Sequence, residues 1–99
     1  MADITAKELK ERIANNEALN IVDVREAWEF EEKNIGAILI PLQTVPHRLA
    51  ELEKFKNEEL IIHCKSGRRS ENAKQFLIQQ GFTNVRNLLG GIEEYLITE

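Results

Sequence analysis

A chain of 99 residues with 42% hydrophobic and 30% charged residues predicts a single soluble globular domain, residues 1–99, and excludes an intrinsically disordered chain. The net charge of −4 argues against general binding of nucleic acid, and a single cysteine excludes an internal disulfide and, with only two histidines, a zinc site. The sequence shows no leader-like N-terminus and no apolar run long enough to cross a bilayer, so we expect a cytoplasmic protein without a membrane partner.

Predicted helices and strands alternate along the chain. In chain order the elements are a helix over 5–16, a strand over 19–24, a helix over 26–33, a strand over 37–40, a helix over 45–55, a strand over 60–64, a helix over 70–80, a strand over 84–88 and a last helix after Gly91. Thr5 and Glu8 have the spacing of a capping box at the start of the first helix. The alternation predicts a mostly parallel sheet with helices on both faces, whose ligands bind beyond the carboxyl ends of the strands.

The third predicted strand ends in Cys64, the only cysteine of the chain. A lone cysteine is usually a small buried hydrophobe, but the five residues after Cys64 carry three positive charges in a chain that is acidic overall. Ser66 and Gly67 allow a tight turn whose backbone amides point inward, and the following helix adds the positive end of its dipole. The dipole alone is too weak to produce a reactive thiolate, so amide hydrogen bonds and the arginines must contribute. Together these features predict that Cys64 is a nucleophile.

The residues around Cys64 resemble the active-site loop of the single-domain rhodaneses, a family of sulfurtransferases. The matching segments are Cys64-Lys65-Ser66-Gly67-Arg68-Arg69-Ser70 for the active-site loop, 21–26 and 35–42 for two earlier signatures, and 81–85 and 88–92 for the closing segment. The resemblance covers nearly the whole chain, in the right order. It implies a rhodanese-like α/β domain with a central parallel sheet of five strands and helices on both faces.

The resemblance also implies an activity. Cys64 would take a sulfane sulfur from a donor such as thiosulfate, hold it as a persulfide and pass it to a thiophilic acceptor, either cyanide or a thiol. The residues implied to bind the anionic donor are Lys65, Ser66, Gly67, Arg68 and Arg69. Among these we expect Arg69 to matter more than Lys65, because a guanidinium fork can hold two oxyanion atoms. No metal or organic cofactor is implied.

Three further residues are expected to support the site: Ser70, Asp23 and Arg25. Asp23 and Arg25 end the first predicted strand, and they either shape the neighbouring loop as an ion pair or touch the substrate; we favour the structural role. His63 adjoins the nucleophile, but successive residues of a strand point to opposite faces. A structural role is therefore predicted for His63 as well.

Two departures from the family pattern are present. The segment 33–37 lacks the histidine of the family's second motif and is one residue shorter, and Tyr95 replaces the closing tryptophan. Neither change touches the nucleophile. They bear on the wall of the pocket, and hence on the natural donor or acceptor.

Other kinds of function remain open. A cysteine-based phosphatase also cradles an oxyanion in a His-Cys loop, but it needs five residues between its cysteine and arginine, where Cys64 and Arg69 have four between them. The shorter spacing makes a smaller ring of amides, better suited to sulfur than to phosphate. A non-catalytic binding module would not need the cysteine. A sulfur carrier that works with a partner protein, such as a cysteine desulfurase, would use the same persulfide chemistry as a transferase for small molecules.

Overall fold

The computed structural model, which describes residues 2–99, contains a parallel sheet with helices packed on both faces. The strands are β1 (Ile21–Asp23), β2 (Ile38–Leu39), β3 (Glu59–His63) and β4 (Asn84–Asn87). The α-helices are α1 (Ala6–Ala14), α2 (Ala27–Glu32), α3 (Leu49–Leu52), α4 (Arg68–Gln79) and α5 (Gly91–Ile97). The strand order is β2-β1-β3-β4, and every neighbouring pair is parallel. The predicted α/β fold is confirmed.

Strand β3 lies inside the sheet and sends alternate side chains to two hydrophobic cores. Leu60 and Ile62, followed by Cys64, belong to the core beneath α3 and α4. Ile61 belongs to the core beneath α1 and α5. Because both faces of this strand are covered, it reads in the sequence as a continuous apolar run rather than an alternating one.

The register of the sheet gathers polar residues at its carboxyl edge. Asp23 of β1 is the partner of His63 in β3, and Ile62 of β3 is the partner of Asn87 in β4. All strands run in the same direction, so their last residues meet at one edge. Cys64 follows directly after β3 and therefore lies at this edge.

The sheet has four strands, so the prediction of five was wrong in this detail. Ile4 makes a single parallel bridge with Leu88 at the β4 edge, where another strand would lie. The chain leaves the sheet at once because Thr5 caps α1, with its Oγ1 accepting a hydrogen bond from the Glu8 amide at 3.1 Å. The capping box predicted here is only half formed, since the Glu8 carboxylate accepts from Arg86 instead.

The single helix predicted over 45–55 is divided into three pieces. A 3₁₀ segment covers Leu42–His47, the short helix α3 follows, and a second 3₁₀ segment covers Glu53–Phe55. Pro46 lies inside the first segment, and the break falls two residues later at Arg48, whose φ of −122° and ψ of 20° are not helical. The side chains of Val45 and Leu52 are nevertheless buried in the core beneath α3 and α4.

No helix within residues 2–99 is long and apolar enough to span a membrane.

Candidate active site

Cys64 is the centre of the candidate site, and its side chain is almost fully buried, with 1% of the residue exposed. Two residues of α5 hold its backbone in place. The Ile92 amide donates to the Cys64 carbonyl at 2.9 Å, and the Glu93 amide donates to the Lys65 carbonyl at 3.1 Å. The start of α5 is thus attached to the loop that begins at Cys64.

Gly91 is required for this attachment. Its φ angle is +63°, and a Cβ atom there would overlap the Lys65 carbonyl and lie 2.7 Å from the Cys64 carbonyl oxygen. Both conditions favour a residue without a side chain. The sequence indicated only that the last helix begins near this glycine, and gave no indication that the glycine is packed against the nucleophile's loop.

Three hydrogen-bond donors approach the Cys64 sulfur. The Gly67 amide lies 3.1 Å from Sγ, the Ser70 amide 3.4 Å and the Ser70 hydroxyl 3.3 Å. Burial raises the pKa of the Cys64 thiol, but hydrogen bonds from the Ser70 hydroxyl and from the backbone amides of Ser70, Gly67 and Ser66 outweigh it. The pKa of Cys64 is therefore lowered, as a nucleophilic thiol requires.

The turn that carries these amides depends on a left-handed residue. Gly67 has a φ of +106° and precedes the first residue of α4. The Asn87 side chain donates from Nδ2 to the Gly67 carbonyl at 3.0 Å, which fixes the turn against the end of β4. The sequence did not identify Asn87 as part of the site, because nothing near it in the chain points to Cys64.

The cations of the loop are not equivalent. Arg69 makes a two-pronged ion pair with Glu29 of α2, with Nη1–Oε1 at 2.7 Å and Nη2–Oε2 at 2.9 Å. The hydrogen bonds from Arg69, helped by the Glu26 amide, outweigh burial and lower the pKa of Glu29 to about 2. Lys65 and Arg68 are exposed, and neither has an ion-pair partner among residues 2–99. Glu29 was also missed by the sequence prediction.

Asp23 and Arg25 form a buried ion pair beside the loop. The Arg25 side chain donates from Nη2 to Asp23 Oδ2 at 2.7 Å and from Nε to Oδ1 at 3.0 Å. Nη2 of Arg25 also donates to the Lys33 carbonyl at 2.7 Å, which ties the end of α2 to β1. These hydrogen bonds join the end of β1 to the end of α2, and the supporting role favoured from the sequence stays a prediction.

His63 is fully buried next to Cys64, and neither of its two polar contacts is to the sulfur. Nδ1 lies 3.3 Å from the Cys64 carbonyl oxygen, and Nε2 lies 3.6 Å from Asp23 Oδ2. Burial lowers the pKa of His63 below its usual value despite the nearby Asp23 carboxylate. The residue therefore packs as a neutral side chain under the sheet edge.

The loop separates two surface grooves. One, of about 510 Å³, is lined by residues that include Ser66, Arg68, Asn87 and Leu89. The other, of about 220 Å³, is lined by residues that include Trp28, Glu29, Lys65 and Leu96. Trp28 is 64% exposed, so it forms a wall of the second groove and is not a core residue.

Within residues 2–99, no group of three His, Cys, Asp or Glu side chains is close enough to hold a metal ion. The site contains one thiol of lowered pKa, Cys64, which is surrounded by backbone hydrogen-bond donors. The exposed cations Lys65 and Arg68 lie beside it in the loop. Such a site can generate a thiolate and attract an anion.

Comparison with known proteins agrees with this geometry. The family Rhodanese-like domain matches residues 5–98. The putative sulfur carrier protein YrkF of Bacillus subtilis is 40% identical over 94 residues, which are 94% of this chain and 50% of that protein, so the chain spans half the length of that relative. The thiosulfate sulfurtransferase PspE of Escherichia coli is 36% identical over 74 residues, which are 74% of this chain and 70% of that protein.

A solved structure matches the fold closely. The crystal structure of SSP1007 from Staphylococcus saprophyticus superposes with a TM-score of 0.86 and 41% identity, covering 96% of this chain and 93% of the other. The family match covers nearly all of the residues from which the sheet, the helices and the loop around Cys64 are built. The chain belongs to the rhodanese-like domain family.

Proposed function

We propose that this protein is a rhodanese-type sulfurtransferase in which Cys64 carries the sulfur as a persulfide, with thiosulfate as a donor and cyanide or a thiol as acceptor. The observation that carries the proposal is the convergence of the Gly67 and Ser70 donors on the Cys64 sulfur. These donors lower the pKa of the only thiol in the chain. The names of the sulfurtransferase and sulfur-carrier relatives support the same chemistry.

Sulfur uptake and delivery balance without an external oxidant. The Sγ thiolate attacks the outer sulfur of thiosulfate, the S–S bond of the donor breaks, and its electron pair leaves with sulfite. A thiolate or cyanide then attacks the transferred sulfur, the bond to Sγ breaks, and the electron pair returns to Sγ. Negative charge therefore resides on Sγ before the first step and after the second, where the amides of Gly67 and Ser70 stabilise it.

The positive charges of the loop have separate roles in this proposal. Lys65 and Arg68 are exposed and unpaired among the described residues, so they attract the anionic donor and the leaving sulfite. Arg69, which was expected from the resemblance to bind the donor and to matter more than Lys65, is already held by the Glu29 carboxylate, so we assign its guanidinium mainly to the shape of the loop. Ser66 and Gly67 contribute backbone amides, and Ser70, Asp23 and Arg25 support the ring around Cys64.

Mass spectrometry of the intact protein tests this proposal. Incubation with thiosulfate is expected to add the mass of one sulfur atom, and cyanide is expected to remove it and release thiocyanate. Cys64→Ser is the matched control, because it leaves no thiol in the chain and a hydroxyl cannot form a persulfide. Absence of the added mass with any sulfane donor, while Cys64 still reacts with an alkylating reagent, would refute the sulfurtransferase reading.

A sulfur carrier that acts with a partner protein is the second candidate, favoured by the likeness to YrkF. The same measurement separates the two. A carrier takes up sulfur from a persulfidated protein donor and not from thiosulfate, whereas the transferase proposed above accepts it from thiosulfate.

A further inference from the structure

A chain of buried polar groups runs from Cys64 to the end of β4. Ser70 is fully buried, and Asn87 is 5% exposed. The Ser70 Oγ lies 3.3 Å from Cys64 Sγ and only 2.6 Å from Asn87 Oδ1. The same hydroxyl is therefore within hydrogen-bonding distance of the nucleophile and of a competing acceptor.

The orientation of the Asn87 amide is fixed by its other neighbours. Nδ2 lies 3.0 Å from the Gly67 carbonyl oxygen and 3.3 Å from Glu71 Oε1. A carbonyl accepts hydrogen bonds only, and so does an ionised carboxylate, so the amino group must face them. The carbonyl Oδ1 must then face Ser70, and the two ends of the amide cannot be exchanged without placing acceptor against acceptor.

The Ser70 hydroxyl has one hydrogen and two groups that can accept it. At 2.6 Å from Asn87 Oδ1, which has only lone pairs to offer, the hydrogen lies between the two oxygens. The Ser70 oxygen then presents a lone pair to Sγ. That arrangement suits a neutral thiol, which donates its own hydrogen to Oγ, and it opposes a thiolate.

We propose that Asn87 is a positioning residue that holds the Ser70 hydroxyl hydrogen away from Cys64, so that the hydroxyl must turn before it can stabilise the thiolate. Asn87 acts on the nucleophile through Ser70 and does not touch the sulfur itself. The hydrogen points to Asn87 while Sγ is protonated, and to Sγ while it is anionic.

This role goes beyond the proposed function. Its consequence for catalysis rests on that proposed function. Sγ is anionic before sulfur uptake and after delivery, and it is bonded to the transferred sulfur in between. The Ser70 hydroxyl would turn toward Sγ in the first and last of these states and return to Asn87 while the persulfide exists. The hydrogen bonds from the Gly67 and Ser70 amides remain in place throughout.

Charged and titratable side chains from several elements surround the hydrogen-bonded groups of Cys64, Ser70 and Asn87. Asp3 and Glu71 contact Asn87, Arg69 and the neutral His63 adjoin Cys64, and Glu29 and Lys74 pair with Arg69 and Asp3 respectively. Asp3 accepts from the Asn87 amide at 3.0 Å and from Lys74 at 2.8 Å, so it fixes the backbone of Asn87. None of these groups is altered in the variants below, so their effects cancel when variants are compared in a cycle.

A double-mutant cycle on the pH midpoint of Cys64 alkylation tests the proposal. The variants are Ser70→Ala, Asn87→Leu and the combination of both. If Asn87 holds the hydroxyl away from Sγ, donation to the thiolate costs the bond to Asn87 Oδ1, so removing the hydroxyl raises the midpoint less in the wild-type background than in a background without Asn87. In the Asn87→Leu background the freed hydroxyl donates to Sγ, so Ser70→Ala is expected to raise the midpoint by about half a pH unit more, roughly threefold in the ionisation constant. Loss of the bond to Gly67 is common to the two variants that carry Asn87→Leu, so it cancels when they are compared.

Two results would overturn the proposal. Equal effects of Ser70→Ala in both backgrounds would mean that Asn87 does not act through Ser70. A smaller effect in the Asn87→Leu background would mean that Asn87 aims the hydroxyl at Sγ instead of away from it. The alkylation midpoint does not depend on sulfur transfer, so this test can fail while the sulfurtransferase proposal holds, and the reverse.

Infrared spectroscopy provides a second test that leaves Asn87 in place. Cys64 is the only cysteine, so the S–H stretching band of the protein belongs to it alone. Below the alkylation midpoint, wild type is expected to show this band at lower frequency than Ser70→Ala, because the thiol donates to the Ser70 oxygen. Identical bands in the two proteins would contradict the inferred position of the hydroxyl hydrogen.

Discussion

At the scale of single residues, Cys64 combines near-complete burial with a lowered pKa, two properties that usually oppose each other. Hydrogen bonds to a charged group contribute roughly 1.5–3 kcal/mol each, and one pKa unit corresponds to about 1.36 kcal/mol. Two backbone amides on one sulfur can therefore offset a burial penalty of a few units. In the proposed function, burial would also keep water from the persulfide, so the same position would serve both its formation and its storage.

The pH dependence of Cys64 alkylation follows from this balance. The midpoint is expected below the value of an ordinary cysteine, about 8.5, because the donors from Gly67 and Ser70 favour the thiolate. The measurement is the rate of reaction with a small neutral alkylating reagent as a function of pH. The protein unfolded in urea is the control and should titrate as an ordinary thiol. A folded-state midpoint equal to or above the unfolded one would show that burial outweighs the hydrogen bonds.

At the scale of elements, the loop after β3 is held between α2, α5 and β4. Glu29 of α2 binds Arg69, the first turn of α5 binds the carbonyls of Cys64 and Lys65, and Asn87 at the end of β4 binds Gly67. Of these three attachments of the loop, the one between Glu29 and Arg69 is the ion pair. It attaches a short helix of six residues to the start of α4.

Glu29→Gln is expected to lower the free energy of unfolding by about 1–2 kcal/mol at neutral pH, a value reduced because the Arg69 side chain is 35% exposed. The pKa of Glu29 is lowered from 4.5 to about 2, so its contribution is complete above pH 4.5 and is lost as the pH falls toward 2. The difference between wild type and variant should therefore shrink between these values. Urea unfolding at several pH values measures it.

Glu32→Gln is the matched control for this prediction. Glu32 lies in the same helix, is exposed, and makes no ion pair with any of residues 2–99. Its substitution should change the free energy of unfolding by less than about 0.5 kcal/mol at any pH. Similar effects of the two substitutions would show that the ion pair with Arg69 contributes nothing particular to stability.

The elements could be predicted where their signals are local. Strand β3 is a continuous apolar run, and α4 begins after Gly67 and ends before Gly81, so both were recognised from neighbouring residues. The helix expected over 45–55 is divided because hydrophobic spacing indicates which residues are buried but not where the backbone breaks, which is at Arg48 with a φ of −122°. A fifth strand was expected from the resemblance, but the cap at Thr5 turns the chain into α1 after a single bridge.

At the scale of the whole molecule, the candidate site likewise has residues that could be predicted from the sequence and residues that could not. Cys64 and its basic turn are adjacent in sequence, so their chemistry could be read from composition and spacing. Glu29 is 40 residues from Arg69, and Asn87 is 17 residues from Ser70, so only the packed fold brings them together. Parallel topology does this for Asn87, because the carboxyl ends of β3 and β4 meet at one edge.

Asp3 and Ile4, which precede α1, contact the end of β4. Ile4 is fully buried in the core with Leu9, Ile61 and Leu88, and its amide donates to the Asn87 carbonyl at 3.0 Å. The chain before α1 thereby pairs with the carboxyl end of β4 and covers that part of the strand edge. This short segment supports both the second core and the backbone of Asn87 behind the site.

Ile4→Ala is therefore expected to lower the free energy of unfolding by about 2–4 kcal/mol, because it removes buried methylene and methyl groups and leaves a cavity. Ile97→Ala is the matched control, since Ile97 is 76% exposed and the same atoms are removed from a side chain in contact with water, for an expected change below about 0.5 kcal/mol. Urea unfolding at neutral pH measures both. If the two substitutions have equally small effects, the segment before α1 is not anchored by Ile4, and the support that it gives to β4 must come from the hydrogen bonds of Asp3 and the backbone alone.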